Sequence, residues 1–392
     1  MKSDFNNSRY AKFFDSKNNR DYLQTFVNTK GLIGVNYGWW RTQCQKDAAP
    51  TPTDASGLAT FTQKSRALKS AILMDMRAPL GKGLQEDVEG IEFYQASIPH
   101  FISKAFVENS AERLRKMQEF EEFGNDRDIV IAWTLGLQEK LDSAHQTLNY
   151  MTGKLMTTAK IDYSGIGMGI QIPIHKANVP KENFKTAGTL VWTDPSCAIL
   201  SQMAEIEKSF RDEWGFDGAL VWKITYNMFY TTFLQNKEVK ELVESYKKNP
   251  LAWVATTSTA PTTADLFQRA IMDYPGISPI EIVVEKERNM TNSGSAIVQG
   301  WDDKYAVLCP AGKPCDLKWT NEIDQKLFGE GFGANDIEKV FAKANDGICT
   351  IVNSVANAGE LRTWRTEVLM SAVPALNEFM QHVIVDTSTA DS

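Results

Sequence analysis

Histidine is scarce in this 392-residue chain, and the few present do not cluster. His100, His145, His175 and His382 stand far apart. None sits at metal-ligand spacing or beside an E-x-x-H or cysteine group, so the sequence offers no imidazole-based metal centre. His145 lies beside an apolar stripe and reads as structural. His175 ends one predicted strand and His382 begins another, both ordinary edge positions. Cysteine is nearly as sparse: Cys44, Cys197, Cys309, Cys315 and Cys349 are odd in number and contain no C-x-x-C pair. That usage excludes a disulfide framework and suits a cytosolic protein with free thiols. Cys309 and Cys315 flank a turn bounded by Pro310 and Pro314. Zinc there would need two further ligands that the neighbouring sequence lacks, which leaves an opportunistic disulfide as the alternative.

Other absences narrow the field further. No run approaches the ~20 apolar residues of a membrane span. The opening stretch, MKSDFNNSRYAKFFDSKNNRD, is polar and has no secretory apolar core. No G-x-S-x-G elbow, Walker loop or dinucleotide fingerprint occurs. Glycines 165, 167 and 169 imitate a phosphate-cradling loop, but no Lys-Ser/Thr follows and no helix opens there. The carboxylate pairs Glu86-Asp87 and Glu121-Glu122 fall on solvated faces. The sequence therefore predicts no catalytic, cofactor-binding or metal residues, and no enzyme.

What is present is structural. Apolar content of 43% and aromatic content of 10% supply sizeable cores, and 392 residues exceed what one core usually serves. The net charge of −7 argues against sequence-wide nucleic-acid binding. Residues 1–60 carry eight Lys/Arg against five Asp/Glu, a net of +3 that leaves −10 for the rest. Within 126–156, Val130, Trp133, Leu137, Leu141, Ala144, Leu148, Met151 and Leu155 recur at intervals of three and four. That spacing predicts one continuous helix, capped at Asp126 and roughly 45 Å long at about 1.5 Å per residue. Gly136 and Gly153 each cost it about 1 kcal/mol against alanine without stopping it. A helix this long is a strut.

Around the strut the order of elements is as follows. Residues 1–64 read as an arm, with Trp39-Trp40 able to anchor it. Residues 65–98 read as a long two-stranded hairpin with a glycine-punctuated tip, and 102–123 as helical. DYSGIGMGIQIPIHKA (162–177) alternates strictly and predicts a strand. Asp194-Pro195 suggests a helix start, and the apolar spacing carries that helix to Gly215. ALVWKIT (219–225) is a buried strand, followed by a helix to about 248. Thr262 and Asp265 look like a capping box for a further helix stopped by Pro275-Gly276. Strands are expected at 280–287, 296–300 and 305–310, the last two joined by a tight WDDK turn. Further strands are expected near 348–355, at 361–371 and at 381–387. The fold class is α+β, with an elongated strut-and-sheet lobe and an inserted α/β lobe.

In their order, five of these pieces resemble the lambda-type major head protein family of tailed phages, which has the Hong Kong-type capsid fold. They are the hairpin at 65–98, the long helix at 126–156, TLVWTDP (189–195) leading to a helix, GALVWKITYNMFYTTFLQNKEV (218–239), and LRTWRTEVLMSAVPALNEFMQHVIVDT at the end. The arm is not matched. The resemblance implies an N-terminal arm (1–64), an extended loop (65–98), a peripheral domain (99–195 and 356–392) with the spine helix, and an axial domain (196–355). It implies a major capsid protein assembling into hexamers and pentamers of an icosahedral shell, in the virion, after synthesis in the bacterial host cytoplasm. The implied partners are scaffold, portal, a possible decoration protein and non-specifically contacted double-stranded DNA, with no membrane. Some such capsids crosslink a loop lysine to a neighbour's asparagine. Lys82 sits near the tip here, but no asparagine partner is identifiable and crosslinking is not expected. An encapsulin-like nanocompartment subunit is the alternative, and an unrelated soluble α/β enzyme a more distant one.

Overall fold

A computed structural model describes residues 38–54, 59–66, 91–108, 126–162, 174–247, 263–272, 274–283, 289–290, 297–321, 339–344, 348–358 and 361–390. In chain order, a helical turn α1 (Trp40–Gln43) leads into β1 (Cys44–Lys46). Strands β2 (Thr60–Arg66), β3 (Ile91–Ser97) and β4 (His100–Glu108) precede the long helix α2 (Asp126–Thr158). Then come β5 (Lys160–Ile161), β6 (His175–Lys176), β7 (Phe184–Ala187), α3 (Ile199–Trp214), β8 (Leu220–Thr225), α4 (Tyr226–Thr231), α5 (Lys237–Lys247) and α6 (Thr263–Met272). Strands β9 (Ile280–Val283), β10 (Asn289–Met290), β11 (Ile297–Val298), β12 (Tyr305–Pro310) and β13 (Cys315–Trp319) follow. The chain continues through β14 (Lys339–Ala344), β15 (Cys349–Ala358), β16 (Leu361–Leu376) and β17 (Val383–Ala390).

The strut is there: α2 runs unbroken for 33 residues. Its stripe is buried at Leu141, Ala144, Leu148, Met151 and Leu155, against β16 and β4. The side chains of Val130, Trp133 and Leu137 lie outside the described residues. Gly153 has a packing reason. A Cβ there would stand 2.5 Å from the Trp301 backbone nitrogen, and one on Gly300 would stand 2.7 Å from the Tyr150 backbone. Two glycines thus let helix and loop touch backbone to backbone, which offsets the propensity lost by a mid-helix glycine.

Two sheets carry the rest. The six-stranded sheet has the order β1-β13-β16-β15-β14, with β4 also on β16. The sixteen residues of β16 are long enough for two successive neighbours on one edge, β13 at Ala372–Leu376 and β4 at Trp364–Ser371. A bulge between Thr366 and Glu367 adjusts the β4 register. The five-stranded sheet has the order β7-β17-β12-β8-β9. Period-two alternation gives it two buried faces. Leu220, Trp222, Ile224, Ala306, Leu308, Val383 and Val385 join a core roofed by α3, α4, α5 and α6. Val307, Cys309 and Ile384 belong to the second core, shared with α2 and the six-stranded sheet. One sheet therefore divides and joins both cores.

Four local expectations change. Residues 102–108 form β4, not a helix, because pairing along β16 outweighs the i, i+4 spacing of Ile102 and Phe106. The rest of that stretch, 109–123, is outside the described residues. Asp194 does not cap a helix. Its carboxylate accepts from the Ser196 backbone in a tight turn, and α3 begins only at Ile199, ending as expected at left-handed Gly215. The helix expected to reach 248 is broken into α4, a 3₁₀ turn and α5. The reason is Asn236, whose side chain accepts from the Val239 backbone and donates to Cys197 O at 2.6 Å, ending one segment and starting the next. The WDDK turn exists, closed by Tyr305 N to Asp302 O, but β11 pairs with β10 and β12 pairs with β8 and β17. The alternating glycines and isoleucines of 163–173, and Thr262, lie outside the described residues.

Candidate functional site

The described part of the arm is docked on the body. Residues Trp40–Lys46 run along the strut and end as the edge strand of the six-stranded sheet, β1 parallel to β13. Trp40 supplies the anchor. Its backbone N–H donates to Asn149 Oδ1 (2.9 Å), its indole N–H donates to His145 Nδ1 (3.0 Å), and the two rings stack at 6.0 Å. His145 is thus a buried acceptor on the helix, as a structural reading of it expects. Trp39 meets Trp301 edge-on, with centroids 6.0 Å apart. Gln43, fully buried, donates to Glu281 Oε1 at 3.1 Å, and Glu281 in turn pairs with Lys223, whose side chain is 1% exposed. Cys44 stands opposite Cys315 in the strand register and 3.6 Å from the Thr152 hydroxyl. Beyond the strand, Lys318 pairs with Asp47 at 3.0 Å, and the Lys46 ammonium lies 4.3 Å from the Trp319 ring centre.

A second surface is the ribbon of β2 and β3, paired from Thr60–Ser97 to Arg66–Ile91. This is the root of the expected hairpin, begun five residues earlier than expected. Its tip, 67–90 with Lys82, lies outside the described residues. One face packs on the body. Tyr94 bridges Leu376 through its hydroxyl (2.8 Å from Leu376 N) and meets Phe379 at 5.2 Å, while burial pushes its phenol pKa up. Phe61, Tyr94 and His175 form an aromatic cluster. Gln63 donates to Asp316 (3.1 Å) and Asn377 (2.6 Å), and Asn377 donates to Asp316 (2.8 Å). The other face leaves Ile91 and Phe93 exposed, 59% each, and Ile174 beside the adjoining β6 at 57%.

The helix-bearing lobe uses its carboxylates structurally. Buried Glu207 accepts from Ser278 N (2.8 Å), Ser278 Oγ (2.6 Å), the Trp222 indole (3.3 Å) and Arg211 (2.9 Å), clamping α3 to the loop before β9. Glu238 of α5 caps α3 from outside, accepting from Leu200 N (2.8 Å) and Ser201 Oγ (2.7 Å). Exposed apolar side chains recur at Tyr226 and Tyr230, whose hydroxyls are 3.0 Å apart, and at Phe184, Leu190 and Met272.

None of these arrangements resembles a reaction centre. The cavity of about 350 Å³ at the ribbon root has Gln63, Lys64, Lys313, Asp316, Asn377 and Glu378 in its lining, and Gln63, Asp316 and Asn377 bond one another. No group of three or more metal-ligating side chains occurs among the described residues, and no helix there is long and apolar enough to cross a membrane. His175 and His382 are buried, not at open edges as expected. His175 has neither ring nitrogen bonded, and His382 is held by Met156 O at 2.7 Å. Burial depresses both to a pKa of about 4. All five cysteines are buried, unbridged thiols. Cys309 and Cys315 sit in different sheets, so the turn between them makes no disulfide. Burial holds Cys309 at about 12, and the contact with Cys44, then burial, raises Cys315. Sequence reasoning found Trp40 and the ribbon but missed the Gln43–Glu281–Lys223 chain. A lysine inside the apolar strand ALVWKIT was the available signal, because a buried ammonium demands a partner.

No protein-family model matches this chain, and no curated protein matches it in sequence. Solved structures of phage capsids are similar to it. A putative capsid protein of a prophage of E. coli CFT073 has 11% identity, over 83% of this chain and 76% of that one, with a TM-score of 0.42. The cyanophage A-1(L) capsid subunit has 9% identity over 89% and 91%, at 0.43. The mature capsid subunit of bacteriophage PhiM1 has 12% over 88% and 86%, at 0.38. All three scores are below 0.5, and the weight of a functional reading falls on the chain's own geometry.

Proposed function

We propose that this chain is the major capsid protein of a tailed phage, a shell subunit that self-assembles into hexamers and pentamers around double-stranded DNA. The observation that carries this reading is the ribbon β2–β3. It is stapled to the body on one face and presents Ile91 and Phe93 to solvent on the other, from a body stiffened by a 33-residue helix. A stiff plate sets the spacing between neighbours, and outward apolar strands grip them. Head-to-tail contacts that close into rings need only modest strength each, because every subunit makes several. The sequence resemblance to lambda-type head proteins adds the order of the pieces, and the polar groups above are spent on holding the fold, which suits a protein that performs no catalysis.

On this reading 1–64 is the arm, 65–98 the extended loop, 99–195 with 356–392 the peripheral domain, and 196–355 the axial domain. Strands β13–β15 and β17 cross that division. The protein is made in the host cytoplasm, assembles with scaffold and portal, can take a decoration protein, and ends in the virion. Its acidic body faces DNA without adhering tightly, since affinity for phosphate backbones comes from cationic contacts. An encapsulin-like compartment is the second reading, which the exposed ribbon fits equally. Size-exclusion chromatography and negative-stain microscopy of the expressed protein test the proposal. Rings or closed shells are expected; a discrete monomer or dimer overturns it. Ile91→Ser with Phe93→Ser should lower the yield of assembled particles at least tenfold while leaving the subunit folded, as about 1.4 kcal/mol per contact suffices for that factor.

A further inference from the structure

We infer that Cys44 and Cys315 form an oxidisable pair whose disulfide would fasten the arm to the body after assembly. The two residues are direct partners in the parallel register of β1 and β13. Neighbouring strands lie about 4.8 Å apart, inside the Cα separation of roughly 4.4–6.8 Å that a disulfide spans. Both side chains are buried, and both are free thiols. The pair joins parts of the chain 271 residues apart, and no other described contact between arm and body is positioned to become covalent. Cys309 is also buried near this region, but it belongs to the other sheet and has no such strand register with Cys315.

At rest the contact with Cys44, then burial, raises Cys315 and holds it as a thiol, a poor nucleophile. Access comes from the position of β1, a three-residue strand at the edge of its sheet. Edge segments open locally at far lower cost than the whole fold. In the opened state the Cys44 thiolate attacks hydrogen peroxide, breaking its O–O bond, giving a sulfenic acid and releasing hydroxide. When the strand returns, the Cys315 sulfur attacks the Cys44 sulfur. The S–S bond forms, the S–OH bond breaks, and the departing hydroxide leaves as water with the Cys315 proton. Two thiols are oxidised and one peroxide is reduced to two waters. A reducing cytoplasm keeps the pair open while subunits assemble, and an oxidising exterior closes it. That setting rests on the shell-protein reading, whereas the chemistry does not.

The test treats the full-length protein with hydrogen peroxide, quenches it, and analyses it in denaturant. The expected result is a loss of two hydrogens in intact mass, a free-thiol count falling from five to three, and a linked peptide pair containing Cys44 and Cys315. Cys44→Ser and Cys315→Ser should each abolish the link, and Cys309→Ser should retain it. The inference is overturned if the link joins Cys309 to Cys315, if Cys44 is carried to sulfinic acid unlinked, or if all five thiols survive peroxide that oxidises the denatured chain. The wild-type mass alone decides, should a variant fail to fold. Particle formation is scored separately on the same sample, so failure of the link and failure of the shell reading are distinguishable.

Discussion

The two cores of this molecule are built from different kinds of information. In the helix-bearing core the buried polar side chains reach partners close in sequence: Trp222 to Glu207 spans 15 residues, Leu200 to Glu238 spans 38, Asn236 to Cys197 spans 39, and Ser278 to Glu207 spans 71. In the strut core the spans are 105 for Trp40–His145, 226 for His382–Met156, 238 for Gln43–Glu281, and 314 for Gln63–Asn377. Apolar burial is non-directional and does not choose between registers. Hydrogen bonds do, and an unmade one inside a core is expensive. The difference teaches that the local core makes its directional contacts between near neighbours in the chain, whereas those of the long-range core fix which distant segments meet.

Four substitutions or conditions sharpen that contrast. The largest effect is expected in the local core, where Phe267 packs between Phe229 and Phe233 at 5.0 and 5.8 Å. Phe267→Ala should cost about 3–5 kcal/mol, read from chemical denaturation of the subunit. Acid should strike the strut core instead. His175 and His382 are held near 4 against an ordinary 6.5, so they are neutral in the fold and take up protons on unfolding. The stability they contribute is complete above pH 6.5 and is lost as pH falls towards 4, roughly 3 kcal/mol for each at most. His175→Phe should remove about half of the steepness in a plot of midpoint against pH; an unchanged slope would show that these histidines do not govern the acid limb. Gly153→Ala comes next. It improves helix propensity by about 1 kcal/mol, yet drives a methyl into the Trp301 backbone, for a net loss of about 1–2 kcal/mol in thermal unfolding. The smallest is Trp40→Phe, which keeps an aromatic ring of smaller size and deletes the indole donor to His145, for about 1 kcal/mol and a faster proteolytic release of the arm.

The legible parts of the fold were those with a strong period. The stripe of Leu141 to Leu155 marked the strut, and short apolar runs marked β8 and β12. What misled were local signals overruled at a distance. Ile102 and Phe106 have helical spacing, but β16 offers them a strand partner more than 250 residues on. Asn236 looked like a helix interior until the Cys197 carbonyl gave its amide a partner. Asp194-Pro195 carried good cap chemistry, and the carboxylate that caps α3 sits on another helix, at Glu238. Of the candidate surfaces, the hairpin and the tryptophan pair were visible because glycines and adjacent aromatics are conspicuous. Gln43, Cys44 and their partners were not, because a pairing of 44 with 315 leaves no trace in spacing.

The five-stranded sheet faces both interiors, and that has a mechanical consequence. With Val307 and Cys309 buried in one core, and Ala306 and Leu308 in the other, the two halves share a central sheet instead of meeting across a separate interface. A subunit so made responds to load as a single laminate that flexes. On the proposed shell-protein reading, differences in curvature around a closed surface would then be absorbed by slight bending of the whole and by its outlying ribbon and arm, not by a joint between lobes.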